Sequence, residues 1–275
     1  MVQSILVCLH GWGGSKESFT ELRAALKGLP IKVLTPDLPG FGSEPEPSRP
    51  WSVDDYADWV ERWMTKEVES GKCLPAGQAG KVENTKLHLL GHSHGGRIAL
   101  KLAYRQENQP STFPVRPHPG GHLPHTISHL FLCAPAGIRH PRHFKRILGL
   151  MLAKTGSFLL SLPLLKHLAP LGKKLLYQLV RVHDYEKASP VMRGTMIRVS
   201  REDLRPILKT IKIPTDLFWG KQDGMTPFSD GLLMERDIER SVLHAFDGVR
   251  HGVHRDRARE IARVIKERLY DAIDE

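Results

Sequence analysis

The chain has 275 residues, of which 40% are hydrophobic and 25% are charged, and its formal net charge is +10 at pH 7. This composition is typical of a soluble globular protein, and the length suits one large α/β domain or a core domain that carries an insertion. The longest apolar region, residues 147–180, is interrupted by four lysines and holds a charge-free run of only 11 residues. A membrane-spanning helix needs about 20 apolar residues, so none is predicted.

The cysteines and the N-terminus suggest a reducing compartment. Cys8, Cys73 and Cys133 are scattered and form no CxxC motif, and the first residues show neither a basic region nor a small-residue cleavage site. We therefore expect reduced thiols, no signal peptide and a cytoplasmic location.

Short apolar runs alternate with amphipathic stretches along the chain. The predicted strands are residues 4–9, 32–36, 86–90, 128–134, 215–219 and 241–246. The predicted helices are residues 16–27, 53–69, 94–107, 228–236 and 256–271. Most of the strands are almost continuously apolar, as strands buried on both faces are. The alternation predicts an α/β fold with a mostly parallel sheet of about six strands, flanked by helices.

Three segments interrupt this alternation. Residues 73–84 and 109–125 are rich in proline and glycine and are predicted to be surface excursions. The second contains His118, His122 and His125, but their spacing fits no compact ligand pattern, so we expect no metal site. Residues 139–205 hold 14 basic and 4 acidic residues, which accounts for the whole net charge of +10. This Leu-rich, helical segment is predicted to be a basic cap inserted between core residues 1–138 and 206–275.

The junction GHSHGG, residues 91–96, has the form of a nucleophile elbow. A strand ends at Gly91, Ser93 lies in a Gly-x-Ser-x-Gly turn, and a helix follows. Such a turn holds the serine in a strained conformation at the carboxyl end of the sheet, and the flanking glycines avoid side-chain clashes. The alternative is an ordinary tight turn with an incidental serine.

A nucleophilic serine needs a base, and the base needs an orienting acid. Both are expected after later strands, near the carboxyl edge of the sheet. Asp223 follows the strand at 215–219 in GKQDGMTP, and His251 follows the strand at 241–246 in a loop before the last helix. Ser93, Asp223 and His251 therefore occur in the chain order expected for this catalytic arrangement.

Five motifs, taken together, resemble those of the α/β-hydrolase fold superfamily. The motifs are LHGWGGSKESF at 9–19, TPDLPGFGSE at 35–44, GHSHGG at 91–96, GKQDGMTP at 220–227 and GVRHGVHRDRAREIARVI at 248–265. The resemblance covers the core without the cap and implies Ser93 as nucleophile, His251 as base and Asp223 as acid. It also implies an oxyanion hole formed by the backbone N–H groups of Trp12 and His94, and no metal or organic cofactor.

Several polar residues compete for these roles. His254, three residues after His251, is the alternative base, although the family pattern Gly-x-x-His favours His251. His10 and His92 are candidates for lining the substrate pocket. Asp37 is expected to support its own loop, and Asp216 is expected at the wrong end of its strand for catalysis.

The start of the chain departs from the family pattern, which places an antiparallel hairpin before the strand that leads into His-Gly. Here that strand begins by residue 4. The sheet is therefore expected to lack this hairpin, with the strand at 32–36 at its edge. An open edge can pair with another chain, so both a monomer and a homodimer are compatible with the sequence.

The basic cap has three interpretations. It can roof the active site with apolar residues inward, or it can attract anionic substrates or associate weakly with an anionic membrane surface. Nucleic-acid binding is not expected, because the segment has few aromatic residues and no recognised motif.

The function predicted from the sequence is hydrolysis of carboxylic esters with small to medium acyl groups through an acyl-enzyme intermediate. A lactonase, for example one that opens acyl-homoserine lactones, or a C–C bond hydrolase would use the same triad. A hydrolase-like binding protein is a further alternative.

Overall fold

A computed structural model describes residues 4–70, 86–108, 126–140 and 188–271. The predicted surface excursion at 73–84, the second excursion with its three histidines, and most of the predicted cap lie outside these residues. The boundaries 139–205 of the cap therefore remain a prediction. None of the described helices is long and apolar enough to cross a bilayer.

The core is a six-stranded parallel sheet, as the apolar runs predict. The strands are β1 (Ser4–Leu9), β2 (Ile31–Leu34), β3 (Lys86–His92), β4 (Ile127–Cys133), β5 (Thr215–Gly220) and β6 (Ser241–Phe246). Their order across the sheet is β2-β1-β3-β4-β5-β6, and every pairing is parallel. The predicted edge position of the strand near residue 32 is confirmed, since among the described strands β2 pairs with β1 alone.

The order of the strands indicates where a ligand would bind on the sheet. From β1 the chain moves outward to β2 and then returns to β3 on the other side of β1. This reversal is a topological switch point, and ligands of open α/β sheets bind at the carboxyl ends of the strands there. The loop after β1 and the turn after β3 lie at this point, which is where the predicted oxyanion loop and Ser93 are found.

The helices in chain order are α1 (Thr20–Ala25), α2 (Val53–Glu69), α3 (His94–Asn108), α4 (Pro190–Arg201), α5 (Arg205–Leu208), α6 (Phe228–Asp237), α7 (Val253–Asp256) and α8 (Ala258–Asp271). α2 packs against α3, and α1 packs against α8. The predicted helix at 16–27 is divided, because a 3-10 turn at Lys16–Phe19 precedes α1. The predicted helix at 256–271 likewise begins at Ala258, after the short α7.

The end of the predicted cap packs directly on the core. α4 falls within residues 139–205, and the Thr195 hydroxyl accepts a hydrogen bond of 3.0 Å from the Trp51 amide. Met192 lies so close to Gly40 that a Cβ there would be 2.5 Å from the Met192 Cε atom. α4 is therefore anchored to the loops that precede α2.

Candidate active site

Ser93 occupies a strained turn between β3 and α3. Its φ angle is 51°, in the left-handed region that non-glycine residues rarely adopt. The Ser93 amide donates to the Cys133 carbonyl at 3.1 Å, and the Ser93 carbonyl accepts from the Ala136 amide at 2.9 Å. Between the buried residues His92 and His94, Ser93 is the partly exposed one. The end of β4 thus clamps the backbone that presents this serine.

The glycines of the elbow allow an unusually close approach of the backbone. A Cβ on Gly95 would lie 1.9 Å from the Leu9 carbonyl oxygen, and one on Gly91 would lie 2.5 Å from the Gly96 Cα. Neither contact can be relieved without moving backbone, so a side chain at either position would displace β1 or the start of α3. Gly95 therefore allows the elbow to contact the end of β1, and Gly91 allows the end of β3 to contact the start of α3.

The loop after β1 lies directly beside the nucleophile. A Cβ on Gly11 would be 3.2 Å from the Ser93 Cβ and 2.8 Å from the His92 Nδ1. Trp12, the next residue, makes no backbone hydrogen bond through its amide within the part of the chain described. The amide of His94 belongs to the first turn of α3, where helix geometry provides no acceptor. Both predicted oxyanion donors are therefore available, and their pairing with an oxyanion remains a prediction.

His10 supports this loop through hydrogen bonds at both of its ring nitrogens. Its Nδ1 donates to the Gly11 carbonyl at 2.8 Å, and its Nε2 accepts from the Leu38 amide at 2.9 Å. Burial lowers the pKa of His10, in agreement with the neutral ring that these two contacts require. Because both ring nitrogens already have backbone partners and the residue is 0% exposed, the geometry favours a supporting role over the predicted contact with substrate.

Asp223 is held in a tight turn after β5. Its carboxylate accepts hydrogen bonds from the amides of Met225 and Thr226, at 2.7 and 3.0 Å. The Trp219 indole donates to the Thr226 carbonyl at 3.0 Å, which ties the turn to β5. Burial alone would raise the pKa of Asp223, but the hydrogen bonds from His251 and from the turn hold it below its usual value. The carboxylate is therefore ionised at neutral pH.

His251 and Asp223, the predicted base and acid, lie within hydrogen-bond distance of each other. The His251 Nδ1 lies 2.8 Å from the Asp223 Oδ2. Within the described part of the molecule the His251 ring bonds to Asp223 and Thr226, and it makes no hydrogen bond to Ser93. In unliganded enzymes the contact between nucleophile and base is often long and tightens only when substrate binds.

His92 supports the base through the backbone. Its Nε2 donates to the His251 carbonyl at 3.0 Å, and its ring lies 3.8 Å from that of His254, centroid to centroid. Burial lowers the pKa of His92 well below its usual value, so it is neutral. Like His10, it takes a supporting position. The sequence offered no signal for this contact, because the two residues are 159 positions apart.

His254, the alternative base, is buried and packs against other rings. It is 3% exposed, it packs edge-on against Phe19, and its Nδ1 has no hydrogen-bond partner among the described residues. Burial lowers its pKa to about 3. Among the described residues this ring makes no hydrogen bond to Asp223, and a ring of such low pKa is a weak base, so the geometry favours His251.

Thr226 is a site residue that the sequence did not single out. Its hydroxyl lies 3.2 Å from the His251 Nδ1, 2.9 Å from the Asp223 Oδ2 and 3.3 Å from the Ala134 carbonyl oxygen. It can donate to the carboxylate while accepting part of the hydrogen bond from His251. The hydroxyl thus fixes the relative position of the acid and the base.

Thr226→Val is expected to lower kcat/KM for an ester substrate by roughly 10-fold, because one hydrogen bond to an ionised pair is lost while side-chain volume is kept. The measurement is the rate with p-nitrophenyl butyrate. Thr210→Val, which removes a hydroxyl that donates to the Ile207 carbonyl, serves as the control. Equal activity of Thr226→Val and wild type would show that the hydroxyl plays no part in holding His251.

The described residues contain no group of His, Cys, Asp or Glu side chains that could hold a metal ion. Cys8 and Cys133 are free and buried in β1 and β4, and burial raises the pKa of both thiols. These cysteines are therefore packing residues of the sheet.

Comparison with known proteins agrees with this architecture. A model described as the alpha/beta hydrolase family matches residues 6–264. The chain is 22% identical to the monoacylglycerol lipase ABHD6 of Bos taurus over 94% of this chain and 73% of that protein. It is 24% identical to lipase 1 of Psychrobacter immobilis over 90% of this chain and 70% of that protein.

Solved structures show the same fold. A hydrolase from Pseudomonas aeruginosa PA01 superimposes with a TM-score of 0.63 at 20% identity, covering 97% of this chain and 90% of the other. The relatives named as lipases support an ester-hydrolysing activity. Because the family model spans well over half of the chain, the protein belongs to the α/β hydrolase family.

Proposed function

We propose that this protein is a serine hydrolase that cleaves carboxylic esters with small to medium acyl groups. The observation that carries the proposal is the 2.8 Å hydrogen bond between His251 Nδ1 and Asp223 Oδ2, at the same sheet edge as the strained Ser93. A positive φ at a non-glycine residue costs on the order of 1–3 kcal/mol. Such a conformation is retained where the surrounding structure enforces it, as the clamp from β4 does here.

In the first half of the reaction the Ser93 hydroxyl attacks the ester carbonyl carbon while His251 Nε2 takes the hydroxyl proton. The C–O π bond breaks, and its electron pair moves to the carbonyl oxygen, which becomes an oxyanion. The amides of Trp12 and His94 donate to that oxygen, and each such donor is worth about 3 kcal/mol of transition-state stabilisation. Asp223 stabilises the imidazolium that forms and keeps Nδ1 protonated.

The tetrahedral intermediate then collapses. The bond to the alcohol oxygen breaks, His251 returns its proton to that oxygen, and the alcohol leaves while the acyl group stays on Ser93. In the second half, water loses a proton to His251 and attacks the acyl carbon, and the acid is released as the serine regains its proton. Every proton that leaves a nucleophile therefore passes through His251.

The test combines active-site labelling with turnover. Wild-type protein is expected to hydrolyse p-nitrophenyl acetate and butyrate and to react with a fluorophosphonate probe, with peptide mapping placing the adduct on Ser93. Ser93→Ala is expected to lose both turnover and label. Ser70→Ala, at an exposed hydroxyl that bonds to the Glu67 carbonyl, is expected to keep both.

Two results would overturn the proposal. The first is label on a residue other than Ser93. The second is wild-type protein that shows neither a burst nor turnover over a panel of esters and lactones of graded chain length, which would indicate a binding protein on a hydrolase fold. The same panel separates esters from lactones, since both are presented to one active site.

A further inference from the structure

One face of α3 carries three basic residues spaced one helical turn apart. The two farther from the elbow are fully paired. Lys101 Nζ lies 3.1 Å from Asp54 and 2.7 Å from Glu202. Arg105 contacts three carboxylates of α2 at 2.7–3.2 Å. The carboxylates near this face therefore form ion pairs with Lys101 and Arg105.

Arg97, the third basic residue, is nearest the nucleophile and lacks such partners. It is 8% exposed, and its Nε and Nη1 atoms are buried without a hydrogen-bond partner in the part of the molecule described. Its amide donates to the Ser93 carbonyl at 3.1 Å, so it lies one turn beyond the serine. Glu202 is close enough to influence its charge, but the Glu202 Oε1 bonds to Lys101.

A second unpartnered group lies beside it. His94, immediately after the nucleophile, is 4% exposed, and its Nε2 is buried without a partner among the described residues. The ring of His94 is packed edge-on against Tyr56 and Trp12, at 4.8 and 5.5 Å between centroids. Burial, together with the nearby charge of Arg97, lowers the pKa of His94 well below its usual value. Two buried side chains with unused nitrogens thus adjoin the elbow.

Burial of guanidinium nitrogens without hydrogen-bond acceptors is costly. The group stays charged at neutral pH, since burial lowers the pKa of Arg97 only to about 10. Leaving buried charged donors unpaired opposes folding, and such an arrangement is expected where a ligand supplies the missing acceptors. Guanidinium groups are suited to carboxylate and phosphate oxygens.

We propose that Arg97, together with His94, binds an anionic oxygen group carried by the substrate, so that the preferred esters are those with a carboxylate or phosphate near the reacting carbonyl. That the ligand is a substrate rests on the proposed ester hydrolysis. That it is anionic rests on the unpartnered nitrogens of Arg97 and His94. Placed one turn from Ser93, Arg97 selects esters by charge and leaves the chemistry to the triad.

The kinetic test compares esters matched in chain length. For p-nitrophenyl hydrogen glutarate against p-nitrophenyl valerate, Arg97→Met is expected to lower the ratio of kcat/KM values, anionic over neutral, by about 10- to 100-fold. Arg97→Lys keeps the charge and is expected to fall between. Arg263→Met removes an exposed charge from α8, where it pairs with Glu267, and is expected to leave the ratio unchanged.

A binding measurement works without turnover. Ser93→Ala protein is titrated calorimetrically with glutarate and with glycerol 3-phosphate, and the tighter ligand identifies the anionic group. Adding Arg97→Met is expected to abolish that binding. If no ester is hydrolysed but Arg97-dependent binding persists, the proposed function fails while the anion site stands.

Three results would overturn the anion site. One is hydrolysis of both esters with a ratio that Arg97→Met does not change. Another is an absence of binding for both anions. The last is a lower Tm of Arg97→Met with equal loss on both esters, which would mark an arginine with a structural role, since methionine in place of an unpaired buried charge is expected to preserve or raise Tm.

Discussion

Asp223→Asn is expected to lower kcat for p-nitrophenyl butyrate by about 10⁴-fold while leaving the fold intact. The amide is nearly the same size as the carboxylate, but it carries no charge to stabilise the imidazolium. It can also present N–H groups toward His251 Nδ1, which favours the wrong tautomer of the ring. The turn itself retains the carbonyl oxygen as an acceptor for the amides of Met225 and Thr226, so Tm should change little. Steady-state kinetics with a melting curve measures both.

The control is Asp247→Asn, which neutralises a carboxylate that is 79% exposed and pairs with Lys221. Its kcat is expected to lie within about twofold of the wild-type value, because a screened surface charge contributes little. An Asp223→Asn enzyme with more than about a tenth of wild-type kcat would contradict the role of acid, since such a partner ordinarily contributes orders of magnitude.

A pair of histidine variants separates the two candidate bases. His251→Gln should lose activity as severely as Asp223→Asn, and combining the two should add little, because residues that act as a unit are not additive. His254→Gln, by contrast, alters a ring that makes no hydrogen bond to the acid among the described residues. The opposite ranking of the two variants would reassign the base to His254.

The sheet and the order of the candidate triad could be predicted because each depends on local pattern. Continuous apolar runs indicate strands buried on both faces, and residues that follow such strands share one edge of a parallel sheet. Gly91 and Gly95 indicate a close approach of backbone segments within the six-residue motif GHSHGG itself. Ser93, Asp223 and His251 could therefore be named as candidates without any knowledge of contacts.

The supporting contacts could not be predicted because they join loops distant in the chain. Thr226 reaches both His251 and Ala134, and His92 reaches the His251 carbonyl. A threonine in a turn and a histidine on a strand are usually explained by turn geometry or packing. Arg97 shows the same limit, since a basic residue on an amphipathic helix is usually assigned to the solvent-exposed face, whereas here it is buried.

Asp216 lies at the start of β5, at the opposite end of the strand from the Asp223 turn, and is the centre of a polar network that is expected to stabilise the fold. Asp216, the second residue of β5, is 1% exposed and was expected to lie at the wrong end for catalysis. Its carboxylate accepts from His129 Nε2 at 2.8 Å and from His244 Nε2 at 2.6 Å. Arg268 of α8 adds two contacts at 2.9 and 3.2 Å. One carboxylate thus joins three neighbouring strands to the last helix.

Asp216→Ala is expected to lower the free energy of unfolding by about 3–5 kcal/mol, because it removes the buried acceptor on which the buried His129 and the partly buried His244 and Arg268 converge. Urea denaturation of wild type and variant at pH 7 measures this. Asp247→Asn again serves as the surface control. A loss below about 1 kcal/mol would show that the network is energetically neutral, as some buried ion pairs are.

The pH dependence of that difference gives an independent check. Burial alone would raise the pKa of Asp216, but the hydrogen bonds from His129, His244 and Arg268 dominate and hold it far below its usual value. The folded protein therefore binds a proton at this carboxylate less readily than the unfolded chain. Its stabilisation is complete above the ordinary carboxyl pKa of about 4 and is lost as the pH falls toward the lower folded value. The difference in unfolding free energy between wild type and Asp216→Ala should accordingly become smaller below about pH 4. A difference that stays constant with pH would contradict the claim that the ionised Asp216 carboxylate stabilises the fold.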